Sequence, residues 1–496
     1  MGIVIRQAMR TTVFSYLGAV LGFLTVWFVY RKWLTTEQNG LINLLISISA
    51  ITGSLSNLGM NGVILRLFPY FRNDENKHNG FFFYPLMITF GGYLVFLLLY
   101  FIFRDEFIAR NEAKSALLSD NIYYLIPLTL FTALFYIFDT YSRSLYLTTP
   151  GIVIKEVLLR VGILIAAYSY HIDLISFESF VLIYCGLTSS IALALGIYLI
   201  LKRKISLNFS RGFIDKPLRG EMIQVAAFSV ITGLSSLLIS TLDKIIVNDK
   251  LGLAAAGVFA IASYFGSIIQ IPGRSIVRIS APVVADSWKS GDIENIKSIY
   301  HKTCLNQLIL GMLIFLGISV NQENIIQLLP ADYAEGRWVI VLMSLAYLID
   351  MATGVNGVII STSRYFRYDT YFMFLLVIVT WFTNVTLIPL WGLTGAAIAA
   401  VITFTAYNFL RYLFIWKVFG MQPYDLSFVK ILLFALVSFT ASIILPPTGH
   451  PYLDLCIRGM ISCGTFAFMV YKSALAPDLN LTIDKYLGYL FRSNGN

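Results

Sequence analysis

The sequence predicts an all-α, polytopic membrane protein, and three observations carry that reading. The chain has 496 residues, of which 57% are hydrophobic and 13% charged, with mean hydropathy +0.75; so little polar surface cannot cover a water-soluble globule of this size. Apolar runs of roughly 17 to 25 residues, the length a helix needs to cross a bilayer, recur along the whole chain. Lysine and arginine also alternate between successive connections, 26 of the 36 falling on one side and 8 on the other. Positive residues near helix ends are retained in the cytoplasm, so both termini are assigned there.

About fourteen transmembrane segments follow. The first six span 11–30, 41–65, 81–103, 122–147, 152–168 and 179–201; the next six 222–247, 253–281, 303–320, 338–363, 370–389 and 391–416. Two more lie at 431–445 and 455–471, followed by a polar tail. Arg6 and Arg10 precede the first segment as in a signal peptide, but no small-residue cleavage site follows and Arg31-Lys32 stops transfer, so it is kept as a helix. The expected organisation is a six-helix lobe (1–201), a basic cytoplasmic linker (202–220), a second six-helix lobe (221–417), and two further helices with a tail (418–496). The linker reads as a topology anchor facing anionic lipid, and net charge +9 needs no nucleic acid. The longest extracytoplasmic connection, Arg104 to Asp120, is read as a loop of seventeen residues.

The halves carry matching marks. Leu34 to Gly40 (LTTEQNG) and Leu251 to Gly257 (LGLAAAG) each run from a leucine to a glycine six residues on, each joins two apolar helices, and they lie 217 residues apart. Ser142-Arg143 and Ser363-Arg364 each end the fourth helix of their half. Together they point to a duplicated chain, and transporters built from repeats place the substrate path between them. Cys185, Cys304, Cys456 and Cys463 lie in or beside apolar runs without CxxC spacing, and His171, His301 and His450 are scattered. No metal site, disulfide framework or cofactor is expected.

Charges inside the membrane are the strongest functional clue, since an ionised side chain near the midplane needs water, a partner or a substrate. Arg160 and Asp350 are the deepest. Arg160 either pairs with Glu156 one turn earlier or faces a cavity, and both can hold. Asp350 has no basic residue within a turn of its own helix and is the coupling-ion candidate, a hydrogen bond to a neighbouring hydroxyl being the alternative. Asp139 and Arg143 read as a local pair. Pro389, Gly392 and Gly395 end the eleventh helix and turn the chain, with no substrate contact expected; Pro272-Gly273 is a candidate bend.

DKIIVNDKLGLAAAGVFAIA (243–262), RKWLTTEQNGLINLLISIS (31–49) and above all NVTLIPLWGLTGAAIA (384–399) resemble the bacterial polysaccharide (Wzx-type) flippases of the multidrug/oligosaccharidyl-lipid/polysaccharide exporter superfamily. The resemblance covers essentially the whole chain. It implies two six-helix lobes around a cavity and alternating access. It also implies a polyprenyl-diphosphate-linked oligosaccharide as cargo, the bacterial inner membrane as location, and membrane lipids and polysaccharide polymerase machinery as partners. Since the second and eighth helices line the cavity in that family, Arg66, Arg274 and Arg278 are read as a cationic mouth for the diphosphate, joined by Arg143 and Arg160. Two departures limit the transfer, because the first helix lacks both the ion-binding acid of multidrug members and the cavity arginines of peptidoglycan-lipid flippases. A multidrug exporter of amphipathic cations is the alternative. A membrane glycosyltransferase or polymerase is the third reading, disfavoured because no large extracytoplasmic loop is expected, so the chain is read as a transporter and not an enzyme.

Overall fold

The structure, a computed structural model, describes residues 33–73, 77–145, 147–205, 215–477 and 480 with isolated positions between 14 and 29; the side chains of 77, 110–115, 236 and 278 are outside the description. The first segment, the middle of the linker and the tail therefore fall largely outside it. Every regular element among the described residues is helical.

In the first half these are α1 (Thr36–Ser56), α2 (Met60–Phe71), α3 (Phe83–Asn121), α4 (Leu125–Ser144), α5 (Thr148–Ile152), α6 (Leu159–His171) and α7 (Phe177–Leu201). A π-helical stretch, Val153–Leu158, joins α5 to α6. The second half comprises α8 (Lys216–Leu251), α9 (Leu253–Ser267), α10 (Gln270–Ser290), α11 (Ile293–Ser319), α12 (Gln322–Leu328), α13 (Arg337–Ala352), α14 (Asn356–Thr362), α15 (Phe366–Phe419), α16 (Leu426–Ile443) and α17 (Pro451–Lys472). Local chemistry sets several starts. Thr35 caps α1 in a reciprocal box with Gln38, the two bonds measuring 3.0 and 3.2 Å, and Ser176, Asp215, Asp292 and Asp425 each accept a backbone N–H at the head of their helices.

Among the described residues eight helices are long and apolar enough to span a membrane, or eleven when each sharply bent pair is one span. Of the three segments that separate this count from about fourteen, 11–30 lies largely outside the described residues, and the other two have physical causes. The 54 residues of α15 would make a rod of about 80 Å, far beyond a bilayer. The chain instead reverses at Gly392 (φ 58°, ψ −136°), and a Cβ at Gly395 would overlap the carbonyl oxygen of Leu387, an approach that eight residues of straight helix cannot make. Residues 148–171 form one continuous helical path whose Lys155, Glu156 and Arg160 lower its apolarity. The stretch from Arg104 to Asp120 corrects the sequence reading, for it belongs to α3 and is helix, not loop; its Ala, Glu, Arg, Lys and Leu are good helix formers that an apolarity criterion alone discards.

Compact packing divides the chain into residues 1–257 and 258–496. In the first unit an aromatic core gathers Phe68, Phe71, Phe81, Phe82 and Tyr141, all at most 2% exposed. Glycines set the helix approach: Gly92 sits on the Ser56 carbonyl, Gly59 (φ 77°) on that of Ala226, and Gly53 on Thr132 and Ala133. The helical path from α9, whose first five residues belong to the first unit, into α10 bends by 55° just before Pro272, and in the second unit α13 and α14 bend by 48° at Gly354 (φ 61°).

Candidate functional site: a polar cavity in the second unit

The break between α13 and α14 frees backbone groups in an otherwise apolar span, and polar side chains gather there. Around it lies a cavity of about 430 Å³ whose walls include Gln270, Arg274, Gln307, Asp350, Asn356 and Arg411. Arg274 and Asp350, singled out separately by sequence, thus share one site.

Asp350 is held on both oxygens. Gln270 Nε2 donates to Oδ2 at 3.0 Å and Asn408 Nδ2 to Oδ1 at 3.1 Å. Asn408 Oδ1 in turn accepts from Asn356 Nδ2 at 3.0 Å, and Thr353 Oγ1 lies 2.7 Å from the Asp350 carbonyl oxygen and 2.9 Å from Asn408 Oδ1. The sequence alternative of a bond to a neighbouring hydroxyl is therefore replaced by two amides. A second acid, Asp369, receives Arg411 Nη2 at 2.5 Å. Arg411 also reaches Asn356 Oδ1 at 3.4 Å and stacks 4.0 Å from the Tyr407 ring centroid. Gly357 makes room for it, since a Cβ there would come within 2.7 Å of Arg411 Nη1. With both carboxylates engaged, donors are what remain. Among the described residues Gln307, 2% exposed, has no partner for its Nε2, Arg411 Nε has none either, and Arg274 is exposed on the wall without an ion pair. The cavity can accept an oxygen-rich, anionic group more readily than a cation.

The first unit differs. Arg160 Nη2 lies 2.7 Å from Glu156 Oε2, with both side chains 30% exposed. A Cβ at Gly18 would come within 2.7 Å of Glu156 Cβ, so the pair is packed on its Glu156 side. Arg143 pairs with Asp139 at 3.0 Å, and Asp139 abuts Gly151. Arg66 is exposed on α2 with no ion pair among the described residues. Arg278 lies on α10, but its side chain is outside the described residues. Among the described residues no group of three His, Cys, Asp or Glu could hold a metal ion.

Arg411 and Asp369 are the site residues that sequence reasoning missed. Arg411 fell in the cytoplasmic loop count although it lies inside the run 391–416, and Asp369 stands just before the run 370–389. In a helical hairpin those positions face each other. That pairing was the available signal.

In sequence, no family model and no curated protein matches the chain. In structure it is similar to the lipid II flippase MurJ in an inward closed conformation, with TM-score 0.72 at 12% identity over 94% of this chain and 99% of that one. It is also similar to an inward-facing multidrug resistance MATE family transporter of the MOP superfamily, with TM-score 0.61 at 12% identity over 79% and 93% of the two chains. A MOP superfamily transporter from Pyrococcus furiosus, described as having a binding pocket of reverse polarity, matches with TM-score 0.51 at 10% identity over 83% and 94%. The chain therefore has the all-helical, multi-pass fold of these transporters.

Proposed function

We propose that this protein is a flippase that moves a polyprenyl-diphosphate-linked oligosaccharide from the cytoplasmic to the extracytoplasmic leaflet by alternating access, without chemical change to the cargo. The setting is surface polysaccharide biosynthesis in a bacterial inner membrane, with both termini cytoplasmic and polymerase machinery as the downstream partner. The observation that carries the reading is the cavity of the second unit, where Arg274 has no ion pair among the described residues while Asp350 and Asp369 are both occupied by donors. A guanidinium offers a phosphate two parallel hydrogen bonds and offsets its desolvation. Arg66, also free of ion pairs among the described residues, is assigned to the same cargo, with Arg143, Arg160 and Arg278 as secondary contacts. A cationic drug would need a free carboxylate, which is why the multidrug reading is the weaker one. Asp350 remains the coupling-ion residue of the proposal, its amide partners exchanging for a proton or sodium ion.

The test is reconstitution. Vesicles loaded with a fluorescent polyprenyl-diphosphate saccharide should show protein-dependent movement of label to the opposite leaflet, with the lipid recovered chemically intact. Uptake of small amphipathic cations with no movement of the lipid-linked saccharide would overturn the proposal in favour of an exporter.

A further inference from the structure

The two sequence-matched turns touch each other, and they do so reciprocally. A Cβ placed on Gly40 would overlap the carbonyl oxygen of Leu253 and stand 3.2 Å from the Gly257 nitrogen. One placed on Gly257 would overlap the carbonyl oxygen of Thr36 and stand 3.0 Å from the Gly40 nitrogen. Gly257 lies 217 residues after Gly40, and Leu253 lies 217 after Thr36. Each turn thus lays the same carbonyl on the same glycine of its counterpart, the self-complementary contact that two-fold-related surfaces make. Other glycines, such as Gly92 on Ser56, also receive a carbonyl, but at those positions the contact is not returned.

We propose that this glycine-to-carbonyl contact is the separable closure of the extracytoplasmic face, opening and re-forming in each transport cycle; this rests on the alternating-access reading above. The contact has the properties a reversible closure needs. It contains no ion pair among the described residues and one side-chain hydrogen bond, from Asn39 Nδ2 to the Gly257 carbonyl at 3.3 Å. The repeat-related position, Ala256, has no donor to offer, so only one side is tethered. Missing side chains let two backbones meet with little area to desolvate or re-solvate on each cycle. Each helix end is also closed on its own side, α1 by the Thr35–Gln38 box and α8 by the Gly252 N–H on the Asn248 carbonyl at 3.0 Å, so separation need not unwind a helix. Both turns lie on the side poor in lysine and arginine, which the loop bias makes extracytoplasmic.

The test uses Ala256→Cys, a reporter at a position 1% exposed in the closed contact. An impermeant maleimide is applied to intact cells and to opened membranes, and the modified peptide is identified by mass. A separable closure labels slowly but to completion in intact cells, and adding Gly40→Ala or Gly257→Ala should raise the rate at least about tenfold by wedging the turns apart. Gly91→Ala, where nothing lies within 4 Å of the added carbon, should leave it unchanged. Where an alanine variant fails to reach the membrane, Asn39→Ala removes the single tether without bulk and should accelerate labelling in the same direction. Equal rates in parent and variants, or labelling confined to opened membranes, would overturn the closure. Labelling needs no cargo, so a closure that behaves as described while no lipid-linked saccharide moves would refute the proposed function alone.

Discussion

The guanidinium of Arg411 meets the carboxylate of Asp369 at 2.5 Å across the α15 hairpin, with the two side chains only 9% and 15% exposed. The pair joins the two arms of that hairpin, and through Asn356 it joins them to the broken helix carrying Asp350. Taking one charge away from a buried pair leaves the other uncompensated at a cost of about 3–5 kcal/mol, whereas replacing both by apolar groups of similar volume is often neutral. Asp369→Asn should therefore lower the unfolding temperature in detergent markedly, and Asp369→Leu with Arg411→Met should recover most of the loss. A double variant as unstable as the single one would mean the charges serve more than each other.

Asn408 makes a separate prediction, because it is the hub of the polar chain and not a member of an ion pair. Its amide donates to Asp350 and its oxygen accepts from Asn356. Asn408→Leu leaves Asp350 Oδ1 and Asn356 Nδ2 without that partner, each at about 1–3 kcal/mol, while Thr353 Oγ1 keeps the Asp350 carbonyl, and should destabilise the second unit. Asp350→Asn keeps the shape of the carboxyl but not its charge. It replaces one of two acceptor oxygens by an N–H2 donor, which Gln270 meets only by turning its amide, so stability should fall by no more than about 1–3 kcal/mol, while any stimulation of transport by an imposed pH or sodium gradient should be lost; transport that stays gradient-driven would exclude Asp350 as the coupling residue.

How much of this was legible beforehand depended on whether a residue's role was local. The repeat-matched turns could be aligned because Leu34 and Gly40 recur at one spacing in Leu251 and Gly257. The hairpin at Gly392 was legible for the same reason, proline and glycine acting on their own backbone. Arg160 and Glu156, four apart on one helical path, were readable as a pair. Asp350 was found by depth, but its partners, Gln270 at 80 residues and Asn408 at 58, come from other helices that no spacing rule connects to it. Arg411 was hidden by its position near a segment end, where a buried cation and a topology signal look identical in sequence. The loop reading of Arg104 to Asp120 failed because hydropathy detects membrane and not helix.

Topology gives a prediction that is independent of cargo. Cysteines placed in the linker between Lys202 and Arg219 should be shielded from an impermeant thiol reagent in intact cells, and those between Arg104 and Asp120 modified. The lysine and arginine bias of 26 to 8 motivates the expectation. The reverse pattern would invert the orientation and move the proposed closure to the cytoplasmic side.

Arg274 and Arg160 should separate under the same substitution, since one is free and the other engaged. Arg274 is exposed on a cavity wall and satisfies no acid among the described residues, so Arg274→Ala removes no partner and should leave membrane levels and thermal stability unchanged. If it binds the diphosphate, transport in vesicles should fall at least about tenfold, the loss expected from one charge-assisted hydrogen bond of about 1.5–3 kcal/mol. Lysine at that position keeps the charge but loses the two-pronged geometry, so it should recover transport only in part. Arg160→Ala instead strands Glu156 against Gly18, and its first effect should be on stability. Adding Glu156→Gln should restore stability without restoring any transport that depended on the guanidinium itself. Parental transport by a well-expressed Arg274→Ala protein would remove the diphosphate assignment at its strongest point, and full transport by the Arg160→Ala, Glu156→Gln double variant would make that pair structural.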